Sequence, residues 1–210
     1  MNADLLELRP DLRVIAEMVK PGSSLLDVGS GEGDLLAWLE RHRQVKGRGM
    51  EISQSGVNRC IARGLSVIQG DADTDLEYYA DQFYDYVVLS QTLQTLRQPQ
   101  AVLEHLVRIG KHAIVSVPNF AHWKNRLYLL TRGRMPVTRS LSYQWYDTPN
   151  IHFCTIADFV ELCEAMRLSI EQRLTVGSDG QRRLFRNKSR LANMFGEQGI
   201  FMLTRKEERA

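Results

Sequence analysis

The sequence has little cysteine, no long hydrophobic run and almost no excess of charge. Its three cysteines are widely spaced and form no CxxC pair, which argues against a disulfide framework and against a zinc site. No stretch approaches the ~18 to 20 continuous apolar residues of a membrane span. Acidic residues interrupt the N-terminal segment, where a secretory signal needs a basic start and an apolar run. We therefore expect no signal peptide, no membrane segment and a reducing, cytoplasmic setting.

The formal net charge of +2, from 27 basic and 25 acidic residues, is too small to indicate nucleic acid or an anionic membrane as a partner. Its distribution is less even. Residues 1–119 carry 12 basic and 16 acidic side chains, a net −4, whereas residues 120–210 carry 15 and 9, a net +6. The length and the 43% apolar content predict a single domain over residues 1–210. The basic second half indicates where a partner docks.

Short apolar runs alternate with helical patterns along the first half of the chain. Strands are predicted at 24–28, 47–51, 65–69, 86–89 and 113–117. Helices are predicted from Leu12 to Pro21-Gly22, after the first strand, over about 53–63, and from Pro99 to Gly110. This alternation predicts a doubly wound, Rossmann-like α/β fold, with a mostly parallel sheet covered on both faces.

The alternation is interrupted after Pro118-Asn119. Residues 120–152 are rich in aromatic and basic side chains, and we interpret them as an insertion. A helix is predicted to resume at Thr155, with Asp158 completing a capping box. Two last strands, around 168–176 and 200–204, are predicted to pair as an antiparallel edge of the sheet.

A glycine-rich turn, Gly29-Ser30-Gly31-Glu32-Gly33, follows the first strand and opens a helix. Glycine at alternate positions lets the backbone approach a ligand closely, because a side chain there would collide with it. Taken alone, the turn is equally compatible with a tight strand-to-helix connection that binds nothing.

Acidic residues lie at the ends of the first two predicted strands and directly after the third, and they indicate which ligand the turn binds. Asp27 is placed to receive the ammonium of an amino acid, Glu51 to bind both hydroxyls of a ribose, and Asp71 to accept from the amine of an adenine. Asp34 at the start of the next helix argues against a dinucleotide, whose pyrophosphate would lie there. These residues describe a nucleoside that carries an amino acid. The predicted cofactor-binding residues are Asp27, Gly29, Ser30, Gly31, Gly33, Glu51, Ile52, Asp71, Ala72, Ser90 and Gln91.

The glycine-rich turn with its flanking acids resembles class I S-adenosylmethionine-dependent methyltransferases. Four further segments resemble the MetW family of methionine biosynthesis proteins: Pro118-Asn119-Phe120, His122-Trp123, residues 132–138 (RGRMPVT) and residues 143–152 (YQWYDTPNIH). The resemblance spans most of the chain. It implies a class I methyltransferase fold, S-adenosylmethionine or S-adenosylhomocysteine as the cofactor, and a role as partner or activator of a homoserine O-acyltransferase.

Two features depart from the related patterns. Ser30 precedes Gly31-Glu32-Gly33, where the MetW family more often has Cys-Gly-Asp-Gly, which is a mild change. The fourth strand ends in Ser90-Gln91-Thr92-Leu93, without the Asn/Asp-Pro-Pro-aromatic motif of amino-group methyltransferases. This second departure argues against methylation of DNA or of a glutamine amide.

Three functions remain open from the sequence: an acyltransferase partner, an active methyltransferase on a small-molecule carboxylate or hydroxyl, and an RNA methyltransferase. No catalytic base is assigned. Possible bases or positioning groups are His122, Tyr143, Tyr146 and His152, although His152 also suits packing before Thr155 and the tyrosines suit a lid or an interface. The RNA alternative depends on two basic clusters: Lys124, Arg126, Arg132, Arg134 and Arg139 among aromatics, and Arg182, Arg183, Arg186, Lys188 and Arg190 in a predicted loop.

Overall fold

The computed structural model describes residues 3–138, 141, 143–177, 180–185 and 189–206. Three residues of the predicted basic clusters, Arg139, Arg186 and Lys188, lie outside these ranges. The strands in the described ranges are β1 Ser24–Val28, β2 Lys46–Glu51, β3 Val67–Gln69, β4 Tyr84–Ser90, β5 Gly110–Pro118, β6 Leu168–Val176, β7 Arg182–Leu184 and β8 Gln198–Arg205. They form one sheet in the order β3-β2-β1-β4-β5-β8-β6-β7.

Helices connect and cover these strands. They are α1 Ala3–Glu7, α2 Pro10–Met18, α3 Asp34–Arg43, α4 Gln54–Ala62, α5 Pro99–Ile109, α6 Trp123–Arg132, α7 Ile156–Ala165 and α8 Arg190–Phe195, with 3-10 turns at Leu76–Tyr78 and Leu93–Thr95. In the part of the chain that the structure describes, none of these helices has the length and apolar character needed to cross a membrane.

The predicted doubly wound α/β fold is confirmed. Strands β1 to β5 are parallel, and the chain proceeds from β1 through β2 to β3 on one side before β4 and β5 form on the other. The order therefore reverses between β1 and β4, which is the place where open α/β sheets bind ligands at the carboxyl ends of their strands. The predicted cofactor residues lie at that edge, either in the last residues of β1, β2 and β4 or directly after β1, β2, β3 and β4.

The antiparallel pairing of β6 with β8 is also confirmed, but the predicted edge is wrong. Strand β8 lies inside the sheet, between β5 and β6, and β7 pairs with β6 to form the edge. The predicted loop for the second basic cluster is wrong at three positions as well. Arg182 and Arg183 belong to β7, and Arg190 begins α8. All three residues of β7 are exposed, so backbone pairing forms this strand without an apolar signal.

Side chains from the parallel strands fill both faces of the sheet. In β1, Leu25 packs into a core with Ile15 and Leu36, whereas its neighbour Leu26 packs into a second core with Leu103. This burial on both faces explains the continuous apolar runs of the sequence. The capping box at α7 forms as predicted, because the Thr155 hydroxyl accepts from the Asp158 amide and the Asp158 carboxylate accepts from the Thr155 amide.

Candidate functional site

The glycine loop crosses the end of β2 and is held there by backbone hydrogen bonds. The amides of Gly29 and Ser30 donate to the Met50 carbonyl, at 2.8 and 3.1 Å. Gly29, Gly31 and Gly33 all have φ between +58 and +77°, the left-handed region that favours glycine. A Cβ on Gly29 would meet Thr92 Oγ1 at 2.7 Å, whereas a Cβ on Gly31 would meet nothing within 4 Å. Gly31 thus faces space that a ligand can occupy.

Glu51 fastens this loop from the end of β2. Its Oε2 accepts from the Gly31 amide at 2.8 Å, and its Oε1 accepts from the Ser53 amide at 2.9 Å. The side chain is 9% exposed. A carboxylate has about four acceptor positions, so each oxygen keeps capacity for one further donor. Two ribose hydroxyls would match that remaining capacity.

Asp27 lies buried at the end of β1, with 3% of its surface exposed. Burial raises the pKa of its carboxyl to about 7, while the Arg9 guanidinium lowers this pKa and the Glu51 carboxylate raises it. Removal from water disfavours the charged form of an acid. An ammonium group placed beside Asp27 would restore the ionised form, which is the role predicted for this residue.

The predicted cofactor residues at the end of β3 are less buried than Asp27 and Glu51. Asp71 and Ala72 are partly buried, and Oδ1 of Asp71 already accepts from the Asp73 amide at 2.9 Å. The Gly70 amide donates to the Glu51 carbonyl at 3.1 Å, which connects this segment to the end of β2. Ile52 is 62% exposed beside Glu51 and presents an apolar surface. Such a surface suits the flat face of an adenine.

The helix that follows the glycine loop carries no group suited to phosphate at its start. Asp34 opens α3, and its carboxylate accepts from Arg63 at 2.6 Å. The acceptor carboxylates around the loop, the exposed Ile52 and the open space at Gly31 therefore fit a nucleoside with an amino-acid ammonium. These residues fit S-adenosylmethionine better than a dinucleotide.

A polar network that the sequence did not reveal surrounds Ser90 at the end of β4. The Arg9 guanidinium donates to Ser90 Oγ at 2.9 Å and lies 3.3 Å from the Asp11 carboxylate. The Ser90 and Ser116 hydroxyls both donate to the same carboxylate oxygen of Asp11, at 2.9 and 3.4 Å. One local sequence feature lies near this network. Pro10, between Arg9 and Asp11, marks the start of a helix, because proline is common at the first helical position.

Gln91, also predicted to bind the cofactor, has an unusual backbone. Its φ is +52°, in the left-handed region that a residue with a side chain enters at an energetic cost. Its amide donates to both the carbonyl and the hydroxyl of Ser116 at 3.0 Å, and its carbonyl accepts from the Gln94 side chain at 2.6 Å. These bonds hold the strained turn after β4 in place.

The four candidate bases differ in how far they are buried. His122 is buried, and burial lowers the pKa of its imidazole, while the Glu197 carboxylate raises it. The side chains of His152, Tyr143 and Tyr146 are exposed. Of these four, Tyr143 lines a cavity beside the cofactor residues. The His152 side chain is exposed before Thr155, and its backbone amide donates to the Gln94 carbonyl at 3.0 Å.

The insertion is attached to the sheet through Asn119, which is fully buried. Its side-chain amide donates to the carbonyls of Asn193 and Gly196, at 2.8 and 2.7 Å. Its Oδ1 accepts from the amides of Ala121 and Ile156, at 3.1 and 3.3 Å. Asn119 therefore joins the end of β5, the insertion, α7 and α8. This residue of the segment Pro118-Asn119-Phe120 thus has a structural role.

Comparison with solved structures identifies the class of fold. A Mesorhizobium loti S-adenosylmethionine dependent methyltransferase matches 96% of this chain and 100% of its own, with a TM-score of 0.68 and 13% identity. A chain of the Haloferax volcanii complex that contains the Trm112 methyltransferase activator matches with a TM-score of 0.69 and 16% identity, over 98% of this chain and 93% of that one. The fold is that of class I S-adenosylmethionine-dependent methyltransferases.

The family follows from sequence comparison. The family model described as methionine biosynthesis protein MetW matches residues 9–203. The bifunctional methionine biosynthesis protein MetXA/MetW of Rhodopirellula baltica is 36% identical over 185 residues, which make up 83% of this chain and 30% of that protein. The chain belongs to the MetW family. It spans about 30% of the length of this curated relative.

Proposed function

We propose that this chain binds S-adenosylmethionine or S-adenosylhomocysteine at the glycine loop and acts in methionine biosynthesis as the partner of a homoserine O-acyltransferase. The observation that carries the partner role is the bifunctional relative, whose name joins MetXA and MetW in one protein. Two proteins that occur fused in one organism are held at high effective concentration there. The separate chain needs a docking surface to reach its partner.

The aromatic–basic segment, residues 120–153, supplies the surface that we assign to docking. Trp145 and Tyr146 are 70% and 72% exposed and pack edge to face against each other. Further exposed apolar side chains of this segment are Trp123, Leu127, Tyr128, Leu130, Met135, Val137, Tyr143, Ile151 and Phe153. Aromatic residues and arginine are enriched at protein interfaces, and contiguous exposed apolar surface marks interaction sites.

The residues around the glycine loop have defined tasks toward the cofactor in this proposal. Asp27 binds the ammonium, Glu51 binds the ribose hydroxyls while it holds Gly31, and Ile52 covers one face of the adenine. Arg9 and Ser90 close the end of the site near β4. When bound, S-adenosylmethionine supplies a sulfonium with a transferable methyl group. In this proposal the partner role requires binding of the cofactor and no transfer of its methyl group.

The direct test mixes the chain with the homoserine O-acyltransferase of the same organism and measures complex formation and acyl transfer, with and without S-adenosylmethionine. We expect a complex and a change in the rate of acyl transfer. Replacing Trp145 and Tyr146 by alanine should weaken the complex roughly tenfold or more, as for aromatic interface anchors. Tyr78→Ala is the matched control, since Tyr78 is 80% exposed outside the segment. No complex and no change in rate would refute the partner role.

A further inference from the structure

Helix α6, Trp123–Arg132, buries very little of itself against the rest of the chain. Asn125 is its buried residue and Leu129 is half-buried, whereas the other residues of the helix are exposed. Isolated helices shorter than ~12–15 residues are only marginally stable in water, because most helical stability in proteins comes from the packing of an apolar face. This helix of 10 residues therefore needs a further surface to pack against.

The first turn of α6 is fixed to the residues that attach the segment to the sheet. The Asn125 side-chain amide donates to the Phe120 carbonyl at 3.2 Å, and the Arg126 guanidinium donates to the Ala121 carbonyl at 2.6 Å. The Ala121 amide in turn donates to the buried side chain of Asn119 at 3.1 Å. These bonds fix the start of the helix on the molecule.

One apolar stripe of α6 points away from its buried side. Trp123, Leu127 and Leu130 are spaced as i, i+4 and i+7, so they share one face of the helix. Asn125 lies on the opposite face, because two residues correspond to about 200° of helical rotation. The exposed fraction along the stripe rises from 39% at Trp123 to 50% at Leu127 and 84% at Leu130. This spacing is typical of a helix that inserts into an apolar groove of a partner.

The charge beside the stripe indicates the chemistry of that partner. Lys124 and Arg126 are exposed and lie on its two sides, and Lys124 Nζ is 5.9 Å from the centre of the Trp123 ring. Residues 120–146 contain no aspartate or glutamate. Charges across an interface are arranged in complementary pairs, so a groove that receives α6 needs carboxylates at its rim. A contact between the α6 helices of two copies would instead bring like charges together.

We infer that α6 inserts into the homoserine O-acyltransferase, with Trp123, Leu127 and Leu130 in an apolar groove whose rim carries aspartate and glutamate. This inference rests on the proposed function. It adds which part of the aromatic–basic segment enters the partner and which chemistry receives it. Trp145 and Tyr146 belong to the same docking surface but lie outside the inserted helix.

The first test shortens the apolar stripe. Leu127→Ala/Leu130→Ala keeps good helix formers in α6 and should weaken the complex with the acyltransferase roughly tenfold or more, as for buried interface anchors. Isothermal titration calorimetry with the full chain measures this change. Ile61→Ala/Ile68→Ala is the matched control, because these side chains are 57% and 50% exposed outside the segment. The control should bind as the parent chain does.

The second test reverses the charges beside the stripe. Lys124→Glu/Arg126→Glu should slow association with the acyltransferase roughly tenfold at low salt, and the difference should shrink as salt screens the charges. Lys124→Glu alone should act less strongly in the same direction, and it leaves the Arg126 bond to Ala121 intact. Surface plasmon resonance measures the association rates. Arg205→Glu/Lys206→Glu, which changes the net charge equally at the end of β8, is the control.

The outcomes separate this inference from the proposed function. If the parent chain binds the acyltransferase and neither α6 variant changes that binding, the inference is overturned and the partner role stands. If the parent chain does not bind the acyltransferase, the partner role fails and the inference fails with it. Circular dichroism verifies the fold of each variant.

Two other occupants of the stripe are tested with the same leucine variant. Binding of the parent chain to phosphatidylcholine–phosphatidylserine vesicles that Leu127→Ala/Leu130→Ala abolishes, with acyltransferase binding unchanged, would assign α6 to a membrane surface. A dimer of the parent chain that this variant dissociates, again with acyltransferase binding unchanged, would assign α6 to a second copy. Either result overturns the inference.

Discussion

At the scale of single residues, Asp27 should make the stability of the protein depend on pH. The pKa of its carboxyl is about 7 in the folded chain, against an ordinary value of 3.8. Between these values the unfolded chain releases a proton that the folded chain keeps, so the free energy of unfolding falls as pH rises through this window. The penalty is complete above pH 7, and a difference of about three pKa units corresponds to roughly 4 kcal/mol. Asp27→Asn should therefore be more stable than the parent chain at pH 8, with little difference near pH 4, in urea denaturation.

Asp85 supplies a control, because its contribution to stability should change with pH in the opposite direction. Its pKa is lowered to about 2, chiefly by the hydrogen bond from Lys111 and then by the Ser24 amide. The stability that Asp85 contributes is present above pH 4 and is lost as pH falls toward 2. Asp85→Asn should therefore destabilise the protein at pH 8. If Asp27→Asn also destabilised the protein at pH 8, the raised pKa of Asp27 would be contradicted.

Glu51 should determine the affinity for the nucleoside. Replacing it by alanine removes the acceptors expected for the ribose and should weaken binding of S-adenosylmethionine by roughly 1.5 to 3 kcal/mol, the range for hydrogen bonds to a charged group. Isothermal titration calorimetry measures this change. Glu51→Gln retains one acceptor oxygen for the Gly31 amide and should lose less. Asp81→Ala, an exposed acid that precedes β4, is the control. Unchanged affinity in Glu51→Ala would show that the cofactor does not bind there.

At the scale of secondary structure elements, Asn119 should matter more to stability than a helix cap. Asn119→Ala leaves two buried carbonyls and two amides without their partner, which we expect to cost at least about 2 kcal/mol. Thr155→Ala removes one cap of α7 and should cost about 1 kcal/mol. Both changes are measured as the free energy of unfolding in urea. Equal costs would mean that Asn119 does not join the four elements.

The elements that sequence reasoning missed bury little apolar surface. In α6, Asn125 is the buried residue, and the apolar residues Trp123, Leu127 and Leu130, which share one face of the helix, are exposed. Strand β7 has three exposed residues and exists through backbone pairing with β6. Elements that bury apolar side chains, such as β4 and α5, carry a periodic pattern and were predicted within a few residues.

At the scale of the whole molecule, fusion should compensate for a damaged docking surface. Joining the chain to its acyltransferase through a flexible linker gives an effective concentration of the order of 1 mM. The fused Trp145→Ala/Tyr146→Ala variant should therefore regain the change in acyl transfer that the same variant loses as a separate chain at micromolar concentration. Steady-state acyl transfer by the fused and separate proteins is compared. A fused variant that stays without effect would show that these aromatics do more than dock.

The acidic and basic halves of the sequence correspond to different parts of the fold. The acidic residues 1–119 include the parallel half of the sheet and the proposed cofactor residues, while the basic residues 120–210 include the aromatic–basic segment. The two functions that we propose therefore occupy different parts of the molecule. They meet at the turn after β4, where the Gln94 carbonyl accepts from the amides of Ile151 and His152, each at 3.0 Å.

The sequence by itself determined the strand–helix order, the glycine loop and the acids at the strand ends. Apolar periodicity and turn chemistry act over a few neighbouring residues, so they leave a readable local pattern. Only the tertiary structure decided that Asp11 bonds Ser90 and Ser116, which are 79 and 105 positions away along the chain. It also decided that β8 lies inside the sheet, between β5 and β6. Contacts between distant segments depend on how the elements pack, and packing leaves no local trace in the sequence.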